Sequence, residues 1–195
     1  MMEVSQILLP VPGLRYVAEY LEQEGHDRLL MAVDAQPWQW LGQLRVQAHG
    51  YSYSQAKGGV YRIGELPAWA SEVAMRLWRD GLMPGVADQM IVNEYQPGSG
   101  IPTHLDAAVF DDTIVSISLG SPCVIEFTDG TSGHVEPLLL EPRSALVMAG
   151  DSRQNWKHGI PARASDRWLG NEFVRTRRVS LTFRKMRAAS VAHLV

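Results

Sequence analysis

The sequence predicts a mainly β α+β fold, with a helical N-terminal third followed by a sandwich or open barrel of short strands. Three observations carry this. The chain has 195 residues, 46% hydrophobic and 20% charged, enough to bury a core without covalent staples. From Gln89 onward, short extended segments follow one another at close spacing, separated by Gly- and Pro-rich turn signals. Before Gln89, apolar residues recur instead at helical spacing.

The elements follow in order. Leu14, Val17, Ala18 and Leu21 predict a helix over 12–24. Residues 44–53 read as extended and Lys57-Gly58-Gly59 as a loop. Pro67 suits a helix start, and Val73, Leu77 and Trp78 form a stripe that Gly81 ends. Strands are predicted at 89–95, 101–106, 114–119, 123–127, 135–140, 144–148 and 178–184. One domain is expected, with helices and a lid over 1–88, a β core over 89–187 and a short tail over 188–195.

Composition excludes several classes. The single cysteine, Cys123, rules out internal disulfides and Cys-based zinc sites, and its place among apolar residues reads as a buried side chain. No apolar run approaches the ~18 residues of a membrane helix and no signal peptide is visible, so a cytoplasmic protein without membrane contact is expected. The net charge of −3 argues mildly against a nucleic-acid partner. It hides a split: residues 1–140 carry a net −10 and residues 141–195 a net +7.

Chemistry concentrates in the β segments. On a strand, His104 and Asp106 would share one face, placing an imidazole beside a carboxylate. His158 offers a third ligand, and two His with one carboxylate match the facial triad of non-haem Fe(II) oxygenases. The segment Arg178–Arg184 alternates strictly, with Arg178, Ser180, Thr182 and Arg184 on one face. Two arginines on a buried face are costly unless an anion meets them, and a dicarboxylate cosubstrate would supply one. Asn93 and Tyr95 likewise share a face and can donate to carboxylate oxygens.

The compound order Asn93-x-Tyr95-x-Pro97-Gly98, His104-x-Asp106, Ile114 to Gly120, Gly150-Asp151-Ser152-Arg153, His158-Gly159-Ile160 and Arg178-x5-Arg184 resembles the AlkB family of Fe(II)/2-oxoglutarate-dependent dioxygenases. The resemblance runs from about Ile7 to Arg187. In Asn93-Glu94-Tyr95-Gln96-Pro97-Gly98 and Ser118-Leu119-Gly120-Ser121 it is similar to the branch holding the oxygenase domain of the tRNA wobble-uridine hydroxylase.

The resemblance implies a double-stranded β-helix (jelly-roll) core, N-terminal helices packed on one sheet, and a nucleotide-recognition lid. It implies Fe(II) held by His104, Asp106 and His158, with 2-oxoglutarate and O2 as cosubstrates. Asn93, Tyr95, Arg178 and Arg184 would contact 2-oxoglutarate; Ser180, where the family often has Asn, and Thr182 lie between the arginines. Tyr51 and Tyr53 match lid tyrosines, and the neighbouring His49 is a candidate base-stacking group. The implied reaction is oxidative demethylation of N-alkylated bases in DNA or RNA, single-stranded or with a flipped base, by a monomer. Two departures keep an alternative open: hydroxylation of a modified tRNA wobble nucleoside or of a protein side chain. Ala108 stands where repair members have a base-reading acid, with Asp111 and Asp112 nearby, and their tryptophan upstream of the lid is missing around Leu44-Arg45. A non-enzymatic cupin-like binding protein is the third reading.

The other candidates are placed as follows. His26 reads as a solvated loop residue, His134 as part of a hairpin loop and His193 as part of the tail. Trp156 reads as a shield for the iron pocket. Arg153, Lys157, Arg163, Arg167, Arg175 and Arg177 are expected to form a positive rim at the pocket mouth, suited to a small footprint on one nucleotide.

Overall fold

The computed structural model describes residues 6–54 and 59–191. In chain order the elements are β1 (Gln6–Leu8), β2 (Leu14–Val17), α1 (Gln23–Asp34), β3 (Gln39–Leu41), β4 (Leu44–His49), β5 (Tyr51–Ser54), β6 (Gly59–Arg62), α2 (Ala68–Arg79), β7 (Gln89–Tyr95) and β8 (Ile101–His104). There follow β9 (Thr113–Gly120), β10 (Cys123–Asp129), β11 (Val135–Leu140), β12 (Ala145–Ala149), α3 (Asp151–Gln154), β13 (Trp156–Ile160), β14 (Ser165–Trp168), β15 (Asn171–Val174), β16 (Arg178–Arg184) and α4 (Ala188–Val191). A major sheet runs β1-β2-β12-β9-β16-β7-β4-β3, a minor sheet runs β11-β10-β13-β8, and β5–β6 and β14–β15 form separate hairpins.

This is a mainly β fold with a jelly-roll core, and the alternation of β16 shows how it is layered. Val179, Leu181 and Phe183 join a cluster with Leu29 and Val33 of α1 and Ala70, Val73, Ala74 and Leu77 of α2. The two long helices therefore cover one face of the major sheet. The opposite face contributes Ile114, Leu146 and Met148 to a second cluster, completed by Ile125, Phe127, Leu138 and Leu140 of the minor sheet. Arg178, Ser180, Thr182 and Arg184 point to that inner side, where the space between the sheets is not filled.

The helix expected over 12–24 is corrected. Residues Leu14–Val17 form β2, paired with β12 from Leu14–Met148 to Val17–Ala145. Leu14 and Tyr16 enter the inner cluster and Val17 the helix-side cluster, a period of two imposed by the neighbouring strand. Gly13, at φ +80°, lets the chain enter: a Cβ there would lie 1.9 Å from the Ala149 carbonyl oxygen. The first helix comes later, as α1. His26 is correspondingly not solvated: it is 8% exposed, and its Nε2 accepts the Gly120 N–H (3.0 Å) while Nδ1 meets Asp27 (2.8 Å). The other strand expectations hold to within two residues; the short β1, β3 and β6 were not anticipated, nor were β13, β14 and β15, where Lys157, Gly159 and the charges of 165–172 obscure the alternation. Of the loop expected at Lys57-Gly58-Gly59, Lys57 and Gly58 lie outside the described residues and Gly59 opens β6.

Glu94 explains how the helix-side layer is tied to β7. It is buried on that face and receives Arg45 through Nε (2.6 Å) and Nη2 (2.8 Å) and Arg177 through Nε (2.6 Å). The outer nitrogens of Arg177 reach Asp34 at the end of α1 (2.9 and 2.5 Å). Burial opposes its charge, but the two guanidiniums hold its carboxyl below the usual range. Glu94→Gln is expected to cost about 1–3 kcal/mol in urea unfolding at neutral pH, since it removes the buried anion that two half-buried arginines share, while Arg177 keeps Asp34. A depressed carboxyl stabilises above its unfolded pKa, so the gap between wild type and variant should narrow as pH falls below about 4.3.

Candidate active site

Between the sheets lies a cavity of about 660 Å³. One end is built from neighbouring strands β7 and β16, whose register sets Arg178 opposite Tyr95 and Ser180 opposite Asn93. Arg178 is only 3% exposed. Its Nη2 donates to Ser118 Oγ (3.0 Å), its guanidinium stands 5.2 Å from the Tyr95 ring centroid, and its Nε and Nη1 are buried without partners. Two orphaned donors on a buried cation, facing an open cavity, make a site that an anionic ligand would complete. Tyr95 is held as a phenol: burial raises its pKa and outweighs the opposing Arg178 charge. Asn93 and Thr182 line the same end, Thr182 within 3.4 Å of Ser116.

The other chemical end joins the minor sheet. His104, the last residue of β8, stands opposite His158 in β13, with imidazole centroids 4.6 Å apart. Gly159 makes this approach feasible, as a Cβ there would meet Thr103 backbone atoms at 2.9 Å. The strand expected over 101–106 stops at His104, so Asp106 is brought in by irregular backbone rather than by strand alternation. Its Oδ1 pairs with Arg184 Nη2 (2.6 Å); its Oδ2 lies 3.6 Å from His158 Nε2 and is buried without a hydrogen bond. Burial opposes the Asp106 charge, but Arg184, His158, Arg153 and His104 together keep its pKa low. Burial drives His158 down to about 4, which keeps it a neutral donor.

These residues fit a metal ion, although among the described residues no trio of His, Cys, Asp and Glu stands in a ready-made holding arrangement. The cause is local. Arg184 occupies one carboxylate oxygen, and His104 Nδ1 meets the Pro102 carbonyl (2.8 Å), leaving Nε2 as the ring's other nitrogen. The orphaned Asp106 oxygen beside a neutral His158 is the vacancy in hydrogen bonding that a cation would fill, and an N2O donor set suits Fe(II).

The cavity mouth is aromatic and aliphatic. Tyr51 and Ser52 of β5, Val60 and Tyr61 of β6, Trp40 and Leu41 of β3, and Leu105 line it. Tyr53 pairs with Val60 through its backbone, but its side chain lies outside the described residues, as does His193. Strand alternation sends Leu44, Val46 and Ala48 of β4 inward, and therefore sends His49 outward, edge-on to Trp69 of α2 at 6.1 Å. His49 thus leaves the list of base-stacking candidates. Trp156 does not line the cavity either; its ring meets that of His134 edge-on at 6.3 Å.

The expected positive rim is also corrected. Arg163 and Arg175 converge on buried Asp166, Arg167 pairs with Glu172, Arg177 with Glu94 and Asp34, and Arg153 is buried against backbone carbonyls. Of the six cations, Arg153 and Lys157 have no acidic side-chain partner among the described residues, and Arg153 is buried, so Lys157 alone is left as a free surface charge. Neither Asp111 nor Asp112 lines the cavity, and Asp112 pairs with Arg187 (2.5 Å).

Comparison with known proteins decides the family. A model described as the 2OG-Fe(II) oxygenase superfamily matches residues 13–184. An Arabidopsis thaliana protein named alkylated DNA repair protein ALKBH8 homolog is 35% identical over 92% of the chain. This chain belongs to the AlkB family of 2OG-Fe(II) oxygenases. The AlkB-type enzyme is also 35% identical, over 90% of its length, to the Macaca fascicularis tRNA (carboxymethyluridine(34)-5-O)-methyltransferase ALKBH8. It spans 60% of the plant relative and 31% of the macaque one. The human alpha-ketoglutarate-dependent dioxygenase alkB homolog 4 is 28% identical over 92% of the chain and 68% of that protein. Its fold matches a solved structure titled "The structure of OsALKBH1", with TM-score 0.70 at 17% identity, covering 93% of this chain and 100% of that one. A Pseudomonas putida prolyl-4-hydroxylase matches with TM-score 0.57 at 15% identity, over 90% and 94% of the two chains.

The chain accordingly carries a 2OG-Fe(II) oxygenase domain, of a family whose cofactor and cosubstrates are Fe(II), 2-oxoglutarate and O2. None of its described helices is long and apolar enough to cross a membrane. Much of the cavity wall escaped sequence reading, including Trp40, Leu41 and Gln89. Trp40 sits on a strand too short to show a pattern, yet pairs directly across from Arg45, beside the place where a tryptophan was missed. Leu41 shares that strand. Gln89, buried, accepts a hydrogen bond from Arg184 (3.3 Å), and its position on the β7 cavity face, in phase with Asn93 and Tyr95, was the available signal.

Proposed function

We propose that this dioxygenase oxidises an uncharged nucleobase in RNA, with a modified tRNA wobble nucleoside as the favoured substrate class. His104, Asp106 and His158 would hold Fe(II), and Arg178, Tyr95 and Asn93 would bind 2-oxoglutarate, with Arg184 bridging the two ends through Asp106. Fe(II) held there would supply O2 activation, coupled to conversion of 2-oxoglutarate to succinate and CO2. The chain's own residues orient both ligands, keep Tyr95 and His158 neutral, and exclude water with the apolar walls.

The observation that carries the substrate reading is the chemistry of the mouth. Its described residues are Trp40, Leu41, Leu105, Val60 and neutral hydrogen-bonding groups of Tyr51, Ser52, Tyr61 and Gln39. Such walls suit a planar ring by stacking. Adenine or cytosine methylated on a ring nitrogen of the pairing edge carries a positive charge, and the only carboxylate lining the cavity among the described residues is Asp106, already committed to Arg184. An uncharged pyrimidine needs no such partner, and the macaque relative's name refers to a tRNA uridine. Demethylation of alkylated DNA or RNA is the second reading, supported by the plant relative's name.

Succinate release with tRNA, N-methylated single-stranded DNA and N-methylated RNA, assayed side by side, tests the proposal: tRNA should stimulate most. Trp40, 73% exposed at the mouth, should act on this substrate alone. Trp40→Ala is expected to raise the substrate KM about 10-fold or more, as loss of a base-stacking partner does, with the 2-oxoglutarate KM unchanged.

A further inference from the structure

Arg153 is buried, 7% exposed, yet its donors go to backbone rather than to a carboxylate. Nη1 donates to the Asp106 carbonyl (3.1 Å) and Nη2 to the Ala107 carbonyl (2.7 Å), while Nε is buried without a partner. A desolvated guanidinium is an expensive way to satisfy two carbonyls. What it holds is the irregular stretch after β8 that carries Asp106, where no strand ladder fixes the backbone. The planar fork of an arginine spans two successive carbonyls, as a lysine cannot.

The base of this side chain is itself fixed. Ser152 Oγ accepts the Ala149 N–H (3.0 Å) and donates to the Ala149 carbonyl (2.9 Å), and the Ser152 N–H donates to the Pro12 carbonyl (2.9 Å). The one-turn α3 is thus anchored to β12 and to the chain before β2, and five residues after Arg153 the same stretch delivers His158. One anchored turn therefore governs two of the three donors: His158 through the chain and Asp106 through the guanidinium.

We propose that Arg153 is a positioning residue that locks Asp106 in place relative to His158 and thereby sets the affinity of the site for Fe(II). This rests on the reading of His104, Asp106 and His158 as the metal site. The test is anaerobic calorimetric titration of the metal-free full chain with Fe(II), for wild type, Arg153→Met and Arg153→Lys, with circular dichroism as the check of folding. Arg153→Met should fold and lose about 10- to 100-fold in Fe(II) affinity, the usual cost of removing a partner that orients a ligand. Arg153→Lys, keeping the charge but not the fork, should fall between, and the visible spectrum of its Co(II) form, which reports ligand geometry, should differ from wild type while its melting temperature does not. If Arg153→Met does not fold, Arg153→Lys decides alone: weaker Fe(II) binding supports the role. A folded variant binding Fe(II) as wild type does, with an unchanged Co(II) spectrum, would overturn the role and leave the metal site standing. A wild type that binds no Fe(II) would overturn both.

Discussion

Arg178→Met is expected to weaken 2-oxoglutarate binding by about 10- to 150-fold while leaving the ligand-free protein at least as stable as wild type. The first part follows from charge-assisted hydrogen bonds worth about 1.5–3 kcal/mol, with 1.4 kcal/mol for each factor of ten. The second follows from the orphaned Nε and Nη1: a buried cation lacking an anion destabilises the empty protein, and an apolar side chain of similar length removes that cost. Core substitutions normally destabilise, so a melting temperature that holds or rises, together with lost cosubstrate affinity, is a signature ordinary packing would not produce. Calorimetric titration with 2-oxoglutarate and a thermal melt check it; unchanged affinity would remove Arg178 from the cosubstrate site.

Asp106→Ala should show the opposite stability sign. Its Oδ1 is the anion paired with Arg184 at 2.6 Å, and removing it leaves a largely buried guanidinium uncompensated, a cost of about 3–5 kcal/mol to the metal-free protein. It also removes the one anionic donor of the proposed metal site. Fe(II) affinity should fall by more than the roughly 100-fold that even an indirect partner commands, and succinate formation should disappear. Asp106→Asn, which keeps the shape, separates the effects: it too should lose succinate formation, with a smaller stability loss. Turnover near wild type in either variant would contradict the metal assignment.

How much of this was legible in the sequence depends on what each residue's surroundings decide. The bounds of β16 were readable to the residue because it presents a polar face to the cavity and an apolar face to the helices in strict alternation; those of β7 were readable from its apolar run and the Pro97-Gly98 turn signal that follows it. The cavity group Asn93, Tyr95, Arg178, Ser180, Thr182 and Arg184 followed from that alternation. The segment 14–17 was misread because three apolar residues fit either period, and pairing with β12 chose between them. His49 was misplaced for a related reason: proximity to Tyr51 in sequence says nothing of side, whereas the inward phase of Leu44, Val46 and Ala48 sends it to Trp69.

The charge split is the most instructive case. A net −10 beside a net +7 looked like a surface for an external anion. The structure uses much of it internally: Arg177 meets Glu94 and Asp34, Arg163 meets Glu126, and Arg187 meets Asp112, each joining the basic C-terminal part to the acidic part before it. The asymmetry records how late strands are fastened to early elements, and it lends no support to a broad nucleic-acid footprint.

The central claim is that the cavity oxidises an uncharged base, and the mass of the product tests it most directly. Full-length protein with Fe(II), 2-oxoglutarate and O2 is incubated with tRNA and with N-methylated oligonucleotides, and the nucleosides are resolved by mass spectrometry. The account predicts a tRNA nucleoside that gains one oxygen atom and keeps its carbon skeleton. Removal of methyl groups from cationic bases as formaldehyde, with tRNA nucleosides unaltered, would contradict it.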